Sequence, residues 1–220
     1  MARLAKGLAA AFLLACAFLG PARADQSPMH FSVASLDDSA CGSRCPRVLV
    51  ADGVIEPETP LAFIDFATQA AATSKLRGVV LINSPGGNVL ASMELGAAFR
   101  KLRIAAIVAG YASVDGSEGP VAGECVSACV YALMGAVRRV APPVSRIALH
   151  RMSVTLSTGL FGGSTRELAD QHLVALVARY ARRMGVDPAL VWTAEAQSPD
   201  NIHVLSPSEI RRWRLATSRF

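Results

Sequence analysis

Beyond residue 24 the chain is poor in lysine. Lys75 and Lys101 are the only two, and both fall at expected helix ends, so a lysine general base has few candidates. The chain also lacks a second run of about 18 apolar residues, the length a membrane-spanning helix needs, so the part after residue 24 is expected to be soluble. A basic excess is missing too. The formal net charge is +5, but Arg3, Lys6 and Arg23 supply much of it; without residues 1–24, 19 basic residues face 17 acidic ones, a net +2. A nucleic-acid partner therefore has no electrostatic support, and Arg211, Arg212 and Arg214 read as a solvated helix face. Cysteines in the close C-x-x-C spacing of structural zinc sites are absent as well, so no metal is expected. No internal repeat or low-complexity tract stands out.

The N-terminus has the pattern of an export leader. Arg3 and Lys6 form a charged start, Leu8 to Leu19 is apolar, and Ala22-Arg23-Ala24 fits a small-residue cleavage site. Residues 1–24 are thus expected to be removed as a signal peptide, leaving 196 residues from Asp25 in the periplasm or outside the cell. Leu13-Leu14-Ala15-Cys16 offers a lipid-attachment alternative, ranked lower because the apolar run continues past Cys16; an uncleaved anchor is the third option. The remaining length suits one domain with a sizeable core. An even set of four cysteines in an exported chain, Cys41, Cys45, Cys125 and Cys129, suggests disulfides with three possible pairings. Cys125 and Cys129 are expected one helical turn apart, an awkward geometry for bridging each other. A bridge from Cys41 or Cys45 to one of them would tie the N-terminal segment beside Ser127. The pairing is left open.

Residues 25–46 are polar and read as an irregular, extended lead-in to a domain over 47–220. Apolar runs at Val48–Ala51, Gly78–Asn83, Ile104–Ala109, Val137–Ala141, Arg146–His150 and Ile202–Leu205 predict strands. Helices are expected over Thr59–Thr73, with Pro60 in the first turn, and over Asn88–Leu102 and Val126–Ala136. Residues 110–124, rich in glycine and acid, read as a surface loop, and 153–164 as a mobile glycine-bearing stretch. Ser164-x-x-Glu167 reads as a capping box opening a helix that carries Leu168, Leu173, Leu176, Val177, Tyr180 and Met184. Asp187-Pro188 begins a short helix, and Ser206-Pro207-Ser208-Glu209 caps the last one. Strands alternating with helices predict an α/β fold with largely parallel strands.

Two short stretches carry the chemistry. Ser84-Pro85-Gly86-Gly87 follows the run Gly78–Asn83 and precedes a helix, leaving backbone N–H groups free at a helix start, where they suit an oxyanion. Cys125-Val126-Ser127-Ala128-Cys129 places a serine among small residues where another helix begins. His150 ends the apolar run Ile147-Ala148-Leu149, 23 residues downstream. A serine, a histidine and a preformed oxyanion hole are the parts of an acyl-transfer enzyme.

In this order, these features resemble the proteolytic subunit of the Clp protease, within the wider crotonase-like superfamily. Ile82-Asn83-Ser84-Pro85-Gly86-Gly87 resembles the family's oxyanion motif, and Ser127-Ala128 its nucleophile turn. Ile147–His150 resembles its catalytic-histidine strand, and Val204–Glu209 the segment after its catalytic acid. Together they span roughly residues 47–215. The resemblance implies a Clp protease/crotonase-like α/β spiral of ββα and βαβ units, with the site between two stacked sheets. It implies Ser127 as nucleophile, His150 as general base and the N–H groups of Gly87 and Ala128 as the oxyanion hole, on a turn shaped by Ser84, Pro85 and Gly86. The implied activity is a serine peptidase on peptides or unfolded segments, needing no cofactor, in a homo-oligomer for which helix 165–184 is the candidate interface.

The chain departs from the family at the acid. Ile202 stands where the aspartate lies, four residues before Ser206, which leaves Asp200 as the nearest candidate. Residues 110–124 are longer than the family's loop. An exported chain would have no ATP-driven unfoldase beside it, so no ATPase partner is expected; export and the cysteines flanking the serine imply a periplasmic branch. A Ser–Lys dyad is disfavoured by the positions of Lys75 and Lys101. The alternative of another class is a binding or scaffold protein with an incomplete triad; acyl-CoA chemistry is weaker, because an exported chain would not meet that thioester. His30, His172 and His203 are assigned no role.

Overall fold

The computed structural model describes residues 26–35, 47–114, 116–158, 163–198 and 200–217. The expected leader, Cys41 and Cys45 lie outside these residues. Arg47–Asp52 (β2), Leu76–Asn83 (β3) and Ala105–Val114 (β4) run parallel and side by side. Val80 and Ile82 of β3 enter the large core, while Leu81 joins a smaller cluster with Val48, Val50 and Ala109. Alternate strand residues point to opposite faces, so a strand covered on both sides needs the unbroken apolar run this sequence has. Thr59–Thr73 (α1) and Val89–Lys101 (α2) are the crossovers between these strands. Asn88 caps α2 by accepting from the Ala91 N–H at 2.9 Å, and Phe63 of α1 meets Phe99 of α2 edge-on at 4.9 Å.

A second sheet lies at the C-terminal end of β3. Glu124–Val126 (β6) pairs in parallel with Arg146–Leu149 (β8), and His203–Val204 (β11) pairs antiparallel with β8. An isolated bridge between Ser84 and Cys125 joins the end of β3 to β6. Cys129–Gly135 (α3) follows β6 and leads to Arg138–Val140 (β7), which returns in parallel beside β4. Every residue of α3 is buried, as a helix apolar on all sides requires. Its end lies against α2 so closely that a β-carbon on Gly135 would stand 2.0 Å from the Gly96 carbonyl oxygen. This alternation of parallel strands and helices is the α/β class expected from the sequence.

Several expectations are corrected. Part of the lead-in is regular: His30–Ser35 (β1) pairs antiparallel with β2, because Phe31 and Val33 pack on the core and Ala34 is buried. Residues 110–124 are not a loop. Strand β4 runs on to Val114 and pairs with Ser117–Ala122 (β5), reversing at Gly116, whose φ of 81° suits glycine. The described part of 153–164 is strand, Ser153–Thr158 (β9) pairing antiparallel with Gly163–Leu168 (β10). Ser164 and Glu167 therefore sit in a strand, with no helix following at once for a capping box to open. The helix starts later, at Gln171–Arg183 (α4), where Asp170 accepts from the Leu173 N–H at 2.7 Å. Val174, Val177, Tyr180 and Ala181 of α4 are buried in the chain's own core, and Leu173, Leu176 and Met184 are partly buried against it. Ala189–Glu195 (α5) and Pro207–Arg212 (α6) complete the described chain, α6 with the expected capping box on Ser206 and Glu209.

Candidate active site

Ser127 sits between β6 and α3 with φ of 55°, in the left-handed region that a β-carbon disfavours. Such a strained strand-to-helix turn sets its side chain outward, as at the nucleophile turn of α/β-hydrolases, and Ser127 is half-buried while its neighbours are enclosed. Its N–H donates to the Ala148 carbonyl at 2.8 Å, and its carbonyl accepts from Val130 at 3.1 Å. Cys125 and Cys129 are disulfide-bonded across the turn, with α-carbons 5.2 Å apart. This corrects the expectation of an awkward pairing. The two are not successive positions of one helix: Cys125 lies in strand β6, Cys129 starts the helix, and the left-handed Ser127 turns the chain between them, within ordinary bridging distance.

The Pro-Gly-Gly turn packs directly on this elbow. Ser84 donates to the Glu124 carbonyl at 2.8 Å, and its carbonyl accepts from Val126 at 3.0 Å. The Ser84 hydroxyl accepts from the Gly86 N–H at 3.1 Å and fixes the turn. A β-carbon on Gly86 would stand 2.8 Å from the Val126 oxygen and 2.9 Å from the Ser127 β-carbon; one on Gly87 would stand 2.1 Å from the Ile55 oxygen. Only glycine fits both positions, whose φ values of 112° and 136° suit it as well. Among the described residues, no acceptor takes the N–H of Gly87 or of Ala128. Asn83, which the sequence reading passed over, ties this region together: its amide donates to Asp52 at 3.0 Å and its oxygen accepts from the Glu124 N–H at 2.8 Å. A polar residue ending an apolar strand was its one sequence signal.

His150 follows β8, half-buried, on the strand that flanks the serine turn. Its Nδ1 is 2.8 Å from the Arg151 carbonyl oxygen. A carbonyl only accepts, so Nδ1 is the donor, and in the neutral ring Nε2 is then the nitrogen with the lone pair a general base needs. No hydrogen bond joins Ser127 to His150 among the described residues; such bonds commonly tighten only when substrate is present. Asp200 is not the orienting acid. It is exposed and paired with Arg166, because the β11–β8 register sets His203 opposite Leu149 and carries Asp200 past His150. His203 is engaged with Glu209 at 2.8 Å.

A different acid, Glu195, engages the backbone just after the histidine. The Met152 N–H donates to Glu195 Oε1 at 3.0 Å, and Glu195 Oε2 is 3.8 Å from Arg151 Nε. The Glu195 side chain is only 12% exposed. It lies near Tyr131 of α3, whose phenol is pushed well above its usual range, first by burial and then by the Glu195 charge. Nothing local in the sequence marks Glu195, an acid ending a short helix.

No protein-family model matches the sequence, and no curated protein matches it. Solved structures do share the fold. A serine-to-alanine variant of the 1510-N membrane-bound stomatin-specific protease aligns with TM-score 0.50 and 17% identity, over 77% of this chain and 75% of that one. A lysine-to-alanine variant of the same protease, in complex with a substrate peptide, aligns with TM-score 0.50 and 17% identity, over 77% of this chain and 71% of that one. ClpP1 from Listeria monocytogenes aligns with TM-score 0.47 and 16% identity, over 74% and 84%.

Proposed function

We propose that this chain is a serine peptidase acting on peptides or unfolded segments. The observation that carries the reading is the left-handed Ser127 elbow, with Gly86 packed against it and the N–H groups of Gly87 and Ala128 taken by no acceptor among the described residues. In this reading Ser127 Oγ attacks the substrate carbonyl carbon while its proton passes to His150 Nε2. The oxygen that gains the charge is held by the two N–H groups, each worth roughly 3–4 kcal/mol in comparable enzymes. The proton then goes to the leaving amine, and water hydrolyses the acyl-enzyme by the same route. The substrate peptide held by one similar protease supports the substrate class. Export after cleavage behind Ala24 is part of the proposal. The leader pattern supports it, and the disulfide fits an oxidising compartment. Self-association, as the resemblance implies, is part of it too. Among the described residues, no helix is long and apolar enough to cross a membrane.

A binding or scaffold protein without chemistry is the second reading. It is favoured by the ion pair that holds Asp200 away and by the absence, among the described residues, of a carboxylate bonded directly to His150. A fluorophosphonate probe separates the two. The oxidised wild-type chain is expected to be labelled and Ser127→Ala is not; an unlabelled, folded wild type would leave the binding reading.

A further inference from the structure

The Arg151–Met152 peptide group is engaged at both ends. Its carbonyl oxygen lies 2.8 Å from His150 Nδ1, and its N–H donates to Glu195 Oε1 at 3.0 Å. A peptide group is a rigid, planar dipole, and an acceptor on its N–H strengthens its carbonyl as an acceptor in turn. The carbonyl thus does for the imidazole what a triad aspartate does in orientation and tautomer. It carries no charge, however, and so stabilises the imidazolium less. Glu195 supplies that charge one peptide group away, within about 8 Å of Nδ1 given ordinary peptide dimensions. Its placement is otherwise unfavourable: it is an acid at the C-terminal end of α5, against the helix dipole, and nearly enclosed. Local preferences set aside in this way are a mark of a functional position.

We propose that Glu195 is a positioning residue of the Ser127–His150 site, acting on the imidazole through the Arg151–Met152 peptide group. The inference rests on the peptidase reading. The charged and titratable groups around it are accounted for. Arg151 lies 3.8 Å from Glu195 and offsets part of its charge, and Tyr131 is a neutral phenol beside it. On the β11 side, His203 is held by Glu209 and Asp200 by Arg166.

The test compares wild type with Glu195→Gln, which keeps an acceptor for the Met152 N–H and removes the charge. Two quantities are read: the rate of fluorophosphonate labelling against pH, and the His150 imidazole titration by NMR. Loss of the charge is expected to lower the plateau labelling rate roughly tenfold, the equivalent of about one unit of imidazolium stabilisation. It is also expected to move both the acid limb and the NMR midpoint to lower pH, because the cationic ring loses a nearby anion. Glu195→Asp, which keeps the charge, is expected to hold the NMR midpoint nearer wild type, and serves if the glutamine variant does not fold. A folded Glu195→Gln chain with an unmoved midpoint and acid limb overturns the proposal, even if its rate falls, since a packing role alone would produce that. An unlabelled wild type would instead remove the peptidase reading, and the NMR titration would still decide whether Glu195 acts on the ring.

Discussion

A methyl group on Gly86 would meet the Ser127 β-carbon at 2.9 Å and the Val126 carbonyl at 2.8 Å, with backbone on one side and the Ser127 side chain on the other. Neither neighbour can retreat without tilting the turn that aims the Gly87 N–H. Gly86→Ala is therefore expected to slow fluorophosphonate labelling by about 10²-fold, the usual effect of losing one oxyanion donor, while circular dichroism shows the chain still folded. Labelling at the wild-type rate would show that the two turns do not cooperate. At this scale the sequence made the tight turn at Ser84-Pro85-Gly86-Gly87 and the strand-to-helix turn at Ser127 legible, because Pro-Gly-Gly and a serine among small residues leave local traces. It was misleading for Asp200. Proximity along the chain suggested that residue, whereas the β11–β8 register decides which side chains face His150.

Among the elements, α6 has the clearest local code. Glu209 Oε2 accepts from the Ser206 hydroxyl at 2.7 Å and from the Ser206 N–H at 2.8 Å, and Oε1 is 2.8 Å from His203 Nε2. The Ser206 hydroxyl first, then the Ser206 N–H and His203, hold the Glu209 carboxyl down at about 2, against a small opposing effect of burial. An unfolded glutamate titrates near 4.3. The folded value is depressed, so the contribution is complete above about pH 5 and is lost as pH falls toward 2. Urea midpoints of wild type and Glu209→Gln are thus expected to differ at pH 6 and to converge toward pH 3; a constant gap would refute the linkage. The same motif pattern failed at Ser164 and Glu167. Strand pairing with β9 claims that segment, and a capping box acts only where a helix follows at once.

For the molecule as a whole, Arg139 closes the C-terminus onto the core. Its guanidinium donates to the carbonyls of Leu215 (2.6 Å), Arg214 (3.0 Å), Ala136 (3.2 Å), Met184 (3.2 Å) and Met134 (3.3 Å), linking the last described residues to the ends of α3 and α4. Burial first, and then Arg100, lower its pKa to about 10, which leaves it charged at neutral pH. Arg139→Leu would fill the space yet leave enclosed carbonyls without donors. Its expected cost is about 3 kcal/mol or more, read from urea unfolding; a change under about 1 kcal/mol would mean that water replaces the guanidinium. No sequence pattern announced this role. Arg139 reads as the middle of a short edge strand, and its partners come from three separate parts of the chain.

The sequence by itself determined what depends on near neighbours. The doubly buried strands follow from unbroken apolar runs, the crossovers from helical spacing, the glycine turn from Pro85-Gly86-Gly87, and the order serine then histidine from the chain itself. The tertiary structure decided what depends on chain reversal and register. Cys125 meets Cys129 because Ser127 adopts a left-handed conformation between them. Asp200 goes to Arg166, and Glu195 reaches Met152 from 43 residues away. Side chains so far apart in sequence meet only after the helices and sheets between them have packed, and no local preference encodes that meeting.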